Sequence, residues 1–283
     1  MTITGAARIA GVMGWPVAHS RSPVLHGYWL AEHGIDGAYV PLPVLPENLR
    51  PALKALPFLG FAGCNITIPH KEAALEVVDD HDVSARRAGA VNTVVVDSRG
   101  NLIGHNTDGY GFIESLRAAL PGWSARHGSA VVIGAGGAAR AIVAALIDDG
   151  APEIRLVNRT PARAAKLAKA LNGPVRGIAW EERDRALEGA SLLVNATSLG
   201  MVGQPALELS LAALPPEAVV NDIVYVPLET PLLAAARARG HRAVDGLDML
   251  LHQGRPGFAA WFGVKPEVTP ELRRVLLASL GRS

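Results

Sequence analysis

A lysine and a carboxylate set among amide and hydroxyl side chains can move a proton on a hydroxylated substrate. The chain offers such a set: Asn65, Thr67 and Lys71 in one segment, Asn92 in Gly89-Ala90-Val91-Asn92-Thr93, and Asp108 in Asn106-Thr107-Asp108-Gly109. A substrate hydroxyl beside a transferred hydride needs an acid or base and a fixed hydrogen-bonding frame. Lys71 with Asp108 can supply the first, and Asn65 with Asn92 the second. Taken singly, each has a plainer reading: Lys71 as a surface cation, Asn92 as a turn amide, Asp108 as a helix cap. Ser20 and Ser22, just before and at a helix entrance marked by Pro23, are either caps or, with neighbouring amides, a seat for a carboxylate.

A second cluster is suited to an anion. Gly134-Ala135-Gly136-Gly137-Ala138-Ala139 has the form G-x-G-x-x-A between the apolar run Ala130 to Ile133 and an alanine-rich helical stretch. Gly134 permits the tight turn, Gly136 lets backbone approach a pyrophosphate, and Ala139 allows close helix-to-strand packing. The amides and dipole of the helix then favour the negative charge. A site selecting NAD ends its second strand with Asp or Glu for the ribose 2′-hydroxyl. Here that strand, Ile154 to Val157, runs into Asn158-Arg159-Thr160, with Arg163 following. Arg159 can grip a 2′-phosphate bidentately, Thr160 can donate to it, and Arg163 adds positive field, so the cofactor expected is NADP(H). The plainer reading of both arginines is solvated helix-surface charge.

These residues require strands that end beside them. Runs at 9–14, 38–42, 63–68 and 90–97 read as strands, with a short pairing segment at 102–104 beyond the turn Asp97-Ser98-Arg99-Gly100. Helices are expected over 23–34 and 45–56. Gly109 to Leu120 reads as a linking helix. Strands at 130–133, 154–157, 192–195, 219–223 and 242–245 then alternate with helices at 138–147, 162–171 and 230–239, and helices dominate after that. Strands separated by helices favour a mostly parallel sheet. The polar clusters follow apolar strands, where an open α/β sheet forms its crevice.

Composition narrows the function classes. At 283 residues and 49% hydrophobic content, two cores are possible. Charged residues make up 19% and nearly cancel to +1, which offers no broad basic field for a nucleic-acid backbone. The single cysteine, Cys64, excludes an intramolecular disulfide and a Cys-rich metal site, and reads as a small buried side chain. No metal is expected. Apolar stretches are broken by Arg, Gly or Pro and the N-terminus has no leader pattern, so neither a membrane partner nor export is expected, and the location expected is the cytoplasm.

Together these segments resemble the shikimate/quinate dehydrogenase family over nearly the whole chain. The family's opening signature appears as Gly14-Trp15-Pro16-Val17-Ala18-His19-Ser20-Arg21-Ser22-Pro23, and its lysine segment as Asn65-Ile66-Thr67-Ile68-Pro69-His70-Lys71. The resemblance implies that Ser20 and Ser22 bind a substrate carboxylate, that Asn65, Thr67 and Asn92 contact substrate, and that Lys71 is the acid/base with Asp108 beside it. Asn195-Ala196-Thr197-Ser198-Leu199-Gly200-Met201 resembles the loop near the cofactor, which implies contacts from Thr197 and Ser198. Asp222-Ile223-Val224-Tyr225 resembles the segment whose tyrosine approaches substrate, with Ile223 on the cofactor. Gly246-Leu247-Asp248-Met249-Leu250-Leu251-His252-Gln253-Gly254 resembles the closing motif. The resemblance implies that Gly246 and Met249 lie near nicotinamide and that Gln253 binds substrate.

The expected fold is therefore α/β with two domains. A mixed, mostly parallel α/β substrate domain spans 1–107 and is completed by C-terminal helices over 245–283. A Rossmann-type NADP-binding domain spans 108–244, with a cleft between the two. The expected reaction is reversible, NADP-dependent reduction of 3-dehydroshikimate to shikimate, a step toward chorismate and the aromatic amino acids. The alternative is a quinate/shikimate dehydrogenase with broader substrate or NAD use. A monomer or a homodimer is expected.

Overall fold

The computed structural model describes residues 3–281, so the outermost residues of the expected spans 1–107 and 245–283 lie outside the described residues. The chain divides into two compact units, one running to Thr107 and resuming at Leu251, the other covering Asp108–Leu250.

The first unit opens with β1 (Arg8–Gly14), α1 (Ser22–Glu32), β2 (Gly37–Pro43), α2 (Leu49–Ala55) and β3 (Phe61–Ile66). It continues through α3 (Lys71–Leu75), β4 (Asp80–His81), α4 (Val83–Ala88), β5 (Thr93–Val96) and β6 (Leu102–His105). The expected helix over 45–56 is shorter, because a 3-10 turn at Pro46–Asn48 precedes it. α3, β4 and α4 were not anticipated. Each is too short to show a helical or alternating period.

The sheet order is β2-β1-β3-β5-β6-β4. β1 pairs in parallel with β2 and β3, whereas β5 runs antiparallel to both β3 and β6. One face packs on Leu49, Leu53, Leu56 and Ala74 through Met13, Cys64, Ile66 and Val94. Burial pushes the Cys64 thiol well above its ordinary range, which leaves it an apolar filler. An aromatic group of Trp29, Tyr39, Phe258 and Trp261 supplies further core. Trp261 docks by donating its indole N–H to the Val94 carbonyl at 2.9 Å.

The second unit begins with α5 (Asp108–Ala119), β7 (Ser129–Ile133), α6 (Gly137–Asp148), β8 (Ile154–Val157), α7 (Pro161–Leu171) and β9 (Val175–Ile178). It proceeds through β10 (Ala190–Asn195), β11 (Val219–Asp222), α8 (Pro231–Ala238) and β12 (Arg242–Val244). α9 (Leu247–Phe262) carries the chain back to the first unit, where α10 (Pro270–Leu280) follows.

All pairings in this sheet are parallel, in the order β12-β11-β10-β7-β8-β9. This is the doubly wound dinucleotide-binding order, with the switch point between β7 and β10. Side chains alternate along β7. Ala130 and Val132 join the core that includes Ile142, Val143 and Leu167, while Val131 and Ile133 join the core that includes Leu232, Leu233 and Ala236. An apolar strand with both faces covered explains its unbroken hydrophobic sequence.

Candidate functional site

In the first unit, topology gathers the polar segments at one sheet edge. β1 and β3 are parallel, so the loops that follow Gly14 and Ile66 leave from the same edge. β5 is antiparallel and starts there, with Thr93 opposite Asn65, and β6 ends there, with His105 opposite Thr93. The residues after β1 (Ser20, Ser22), after β3 (Thr67, Lys71), before β5 (Asn92) and after β6 (Thr107) thus share one edge.

Hydrogen bonds bind this edge into a frame. Asn65 donates from Nδ2 to the Asn92 carbonyl and to Thr93 Oγ1, both at 3.1 Å, and its Oδ1 accepts from the Tyr39 hydroxyl at 2.6 Å. With both amide hydrogens engaged, Asn65 can meet a ligand only as an acceptor. Asn92 Oδ1 accepts from the Thr107 N–H at 2.8 Å and from Thr93 Oγ1 at 3.0 Å. Its Nδ2 donates to Thr107 Oγ1 at 3.0 Å and to Gln253 Oε1 at 3.4 Å. Asn65 and Asn92 are both nearly inaccessible, so the frame is held by protein rather than solvent.

Lys71 opens α3 and is half-buried. Its carbonyl accepts from the Val91 N–H at 2.8 Å, which pins the lysine backbone beside Asn92. The preceding His70 is buried and bonds through Nε2 to the Val44 carbonyl at 2.7 Å. Thr67 sits over Gly14, where a Cβ would lie 2.4 Å from the threonine methyl. Ser20 Oγ accepts from the Ser22 N–H at 3.3 Å, and Ser22 is itself the first residue of α1. The N-cap position belongs to Arg21, which makes no side-chain capping bond. The serines are therefore not side-chain caps of α1.

In the second unit, Gly134 has φ +115°, and a Cβ there would sit 2.9 Å from the Thr197 methyl and 3.0 Å from the Ala196 carbonyl oxygen. Beyond it, Gly136 is the N-cap of α6 and both Gly136 and Gly137 face open space. This is a cradle that side chains would fill, opening onto the amides of a helix start. β8 ends at Val157, and the residues beyond it are Asn158, Arg159 and Thr160. Asn158 bonds the Thr160 carbonyl at 2.9 Å, and the Thr160 hydroxyl makes no capping bond although Thr160 is the N-cap of α7. Arg159 and Arg163 are exposed at this end. The residues present fit a dinucleotide with a 2′-phosphate.

Asp222, at the end of β11, is fully buried. Its Oδ1 accepts from Asn195 Nδ2 and from the Val224 N–H, each at 3.0 Å, and its Oδ2 accepts from the Thr230 hydroxyl at 2.7 Å. Burial raises its pKa, opposed by the bonds from Thr230, Val224 and Asn195. Tyr225 and Ile223 are half-buried in the same loop, and Gly246 meets Ile223 so closely that a Cβ would lie 2.1 Å from its carbonyl oxygen. Met249 lies in α9 and packs on the first of the two cores of this unit. Ser198 is exposed.

Sequence reasoning gave no role to Tyr39, Thr93, Thr107, Asn195, Asp222 or Thr230. One signal was available: Asn195 and Asp222 are polar endings that follow the apolar runs Leu192-Leu193-Val194 and Val219-Val220. Tyr39 and Thr93 gave none, since both residue types are ordinary in strands. Among the described residues there is no group of three His, Cys, Asp or Glu placed to hold a metal, and no helix long and apolar enough to cross a membrane.

Comparison with known proteins agrees with this geometry. Residues 12–94 match the family described as shikimate dehydrogenase substrate binding domain, and residues 119–203 match shikimate / quinate 5-dehydrogenase. The chain is 63% identical to a shikimate dehydrogenase (NADP(+)) of Rhodospirillum rubrum, covering 97% of this chain and 99% of the other. Among solved structures it is similar to a Thermus thermophilus shikimate 5-dehydrogenase in complex with NADP(H) and shikimate (38% identity, TM-score 0.84, 97% and 99% of the two chains). It is also similar to the quinate dehydrogenase of Corynebacterium glutamicum in complex with NAD (33% identity, TM-score 0.89, 96% and 99%). A chain with both family regions, full-length relatives and this pair of sheets belongs to the shikimate/quinate dehydrogenase family.

Proposed function

We propose that this chain catalyses the reversible, NADP(H)-dependent reduction of 3-dehydroshikimate to shikimate. The observation that carries the reading is the buried Asn65-Thr93-Asn92-Thr107 frame, set at the sheet edge from which Ser22, Thr67 and Lys71 also emerge and joined by the half-buried Gln253 of α9. It lies in the unit that contains the substrate-binding family region.

Bound NADP(H) donates or accepts the hydride. In this reading Ser20 and Ser22 hold the substrate carboxylate with hydroxyl donors. Thr67, Asn65, Asn92, Tyr225 and Gln253 hold the ring hydroxyls, Asn65 only as an acceptor. Lys71 delivers a proton to the substrate oxygen as the ketone is reduced and removes it in the reverse direction, and Asp108 orients that exchange. The backbone from Gly134 through Gly136, Gly137 and Ala139, with Ala135 and Ala138, receives the pyrophosphate at the start of α6. Asn158, Arg159, Thr160 and Arg163 receive the 2′-phosphate, and Thr197, Ser198, Ile223, Gly246 and Met249 border the nicotinamide side. A charge-assisted grip on the 2′-phosphate contributes about 1.5–3 kcal/mol to selectivity over NAD.

A second reading, broader use of quinate or NAD, is favoured by the similarity to an NAD-bound quinate dehydrogenase. Initial rates of cofactor reduction separate the two, measured with shikimate and quinate in the presence of NADP and of NAD. Turnover confined largely to shikimate with NADP supports the narrow enzyme. Comparable quinate or NAD rates support the broad one, and no turnover in any of the four pairs refutes both.

A further inference from the structure

A buried carboxylate with no cationic partner is costly, and it persists where several donors converge on it. Asp222 is such a group. Its donors come from two loops that are separate in sequence: Asn195, at the end of β10, and Val224 with Thr230, beyond β11. Each loop closely approaches a glycine of the nucleotide-binding unit: a Cβ would lie 3.0 Å from the Ala196 carbonyl oxygen at Gly134 and 2.1 Å from the Ile223 carbonyl oxygen at Gly246.

The first loop is tied tightly. Asn195 Oδ1 accepts from the Thr197 N–H at 3.1 Å and from its hydroxyl at 2.7 Å, and Asn195 Nδ2 also donates to the Leu199 carbonyl at 3.0 Å. This fixes Thr197, whose methyl is the wall against Gly134. The second loop begins at Ile223, whose N–H bonds the Asn195 carbonyl at 3.1 Å and whose own carbonyl lies against Gly246. The Gly246 N–H in turn bonds the Val224 carbonyl at 3.3 Å. Thr230 closes the loop by capping α8, accepting from the Leu233 N–H at 3.3 Å while donating to Asp222.

We propose that Asp222 is a positioning residue for the dinucleotide: its carboxylate locks the 195–199 and 223–230 loops to one another and so fixes Thr197 against Gly134 and Ile223 against Gly246. The inference rests on the NADP(H) reading above. Asp222 touches no ligand itself, being wholly enclosed. Its two oxygens do different work, Oδ1 joining Asn195 to the Val224 backbone and Oδ2 holding Thr230. An alanine would release all three donors. An asparagine keeps the shape and one acceptor oxygen, and its amide can donate to Thr230 Oγ1 after the hydroxyl rotates.

The test is the dissociation constant of NADPH, read by fluorescence titration, for the parent, Asp222→Ala, Asp222→Asn and Thr230→Val, with the thermal midpoint of each measured alongside. Losing the charge-assisted bonds weakens NADPH binding at least about tenfold in Asp222→Ala. Asp222→Asn recovers to within about threefold of the parent, and Thr230→Val falls between the two. Folded Asp222→Ala that binds NADPH as the parent does, with only its thermal midpoint lowered, overturns the proposal. If Asp222→Ala does not fold, Thr230→Val decides: weakened binding supports the role and unchanged binding overturns it. Failure of the parent itself to bind NADPH is a different result, and it removes the cofactor reading on which the proposal stands.

Discussion

The imidazole of His26 lies flat on the ring of Tyr39, with centroids 4.1 Å apart and planes inclined by 11°. His26 is fully buried, Trp29, Phe258 and Trp261 complete its surroundings, and neither ring nitrogen has a hydrogen-bond partner. Burial lowers its pKa from 6.5 to about 3. The folded value lies below the unfolded one, so this contribution to stability is complete above pH 6.5 and is lost as the pH falls toward 3. Between pH 7 and pH 5 the loss is about 2 kcal/mol. Urea unfolding at both pH values, for the parent and His26→Phe, checks this: the parent should lose more stability on acidification by about that amount. Equal losses would mean that the acid sensitivity resides elsewhere.

Lys71→Ala should lower kcat by about two to four orders of magnitude, the usual range for a positioned acid/base. NADPH binding should be preserved, because Lys71 belongs to the unit outside the nucleotide-binding sheet. Near-normal turnover in this variant would end the assignment of the proton-transfer role.

Arg159 is exposed beyond β8 and contributes to no core, so Arg159→Ala should leave stability within about 0.5 kcal/mol of the parent. It should raise the KM for NADP by about ten- to a hundredfold while leaving the KM for NAD little changed. A parallel rise for both cofactors would show that the arginine does not read the 2′-phosphate.

Gly63 holds φ +150°, and an added Cβ would meet the Val94 carbonyl oxygen at 2.0 Å and the Trp261 indole nitrogen at 2.3 Å. Gly63→Ala therefore strikes the β3–β5 pairing and the Trp261 hydrogen bond together. Strain and overpacking should cost about 3–5 kcal/mol. Chemical denaturation measures it, and a change below about 1 kcal/mol would show that the sheet yields easily at this point.

Much of the strand pattern was legible because it is local. Apolar runs marked β7, β8, β10 and β11, and the turn at Asp97-Ser98-Arg99-Gly100 announced the β5–β6 hairpin, with Gly100 at φ +83°. β9 escaped notice because Val175-Arg176-Gly177-Ile178 is a short edge strand with two exposed central residues. At the edge of the sheet neither face of β9 is fully covered, since the neighbouring Arg176 and Gly177 point to opposite faces and are both exposed, so the continuous hydrophobicity of a central strand is lost.

The sequence by itself determined the chemistry-bearing pieces: the glycine turn beginning at Gly134, the absence of a carboxylate after Val157, and the identities of Lys71, Asp108 and the serines at the entrance to α1. These depend on residue type and spacing along a few neighbouring positions. Tertiary structure decided which side chains meet. Asn92 and Gln253 are 161 residues apart and share a hydrogen bond, while Asp222 joins two loops that no local pattern connects. Such pairings follow from sheet register and from the requirement that every polar group taken out of water find a partner. Both are satisfied only when the whole sheet has closed around them.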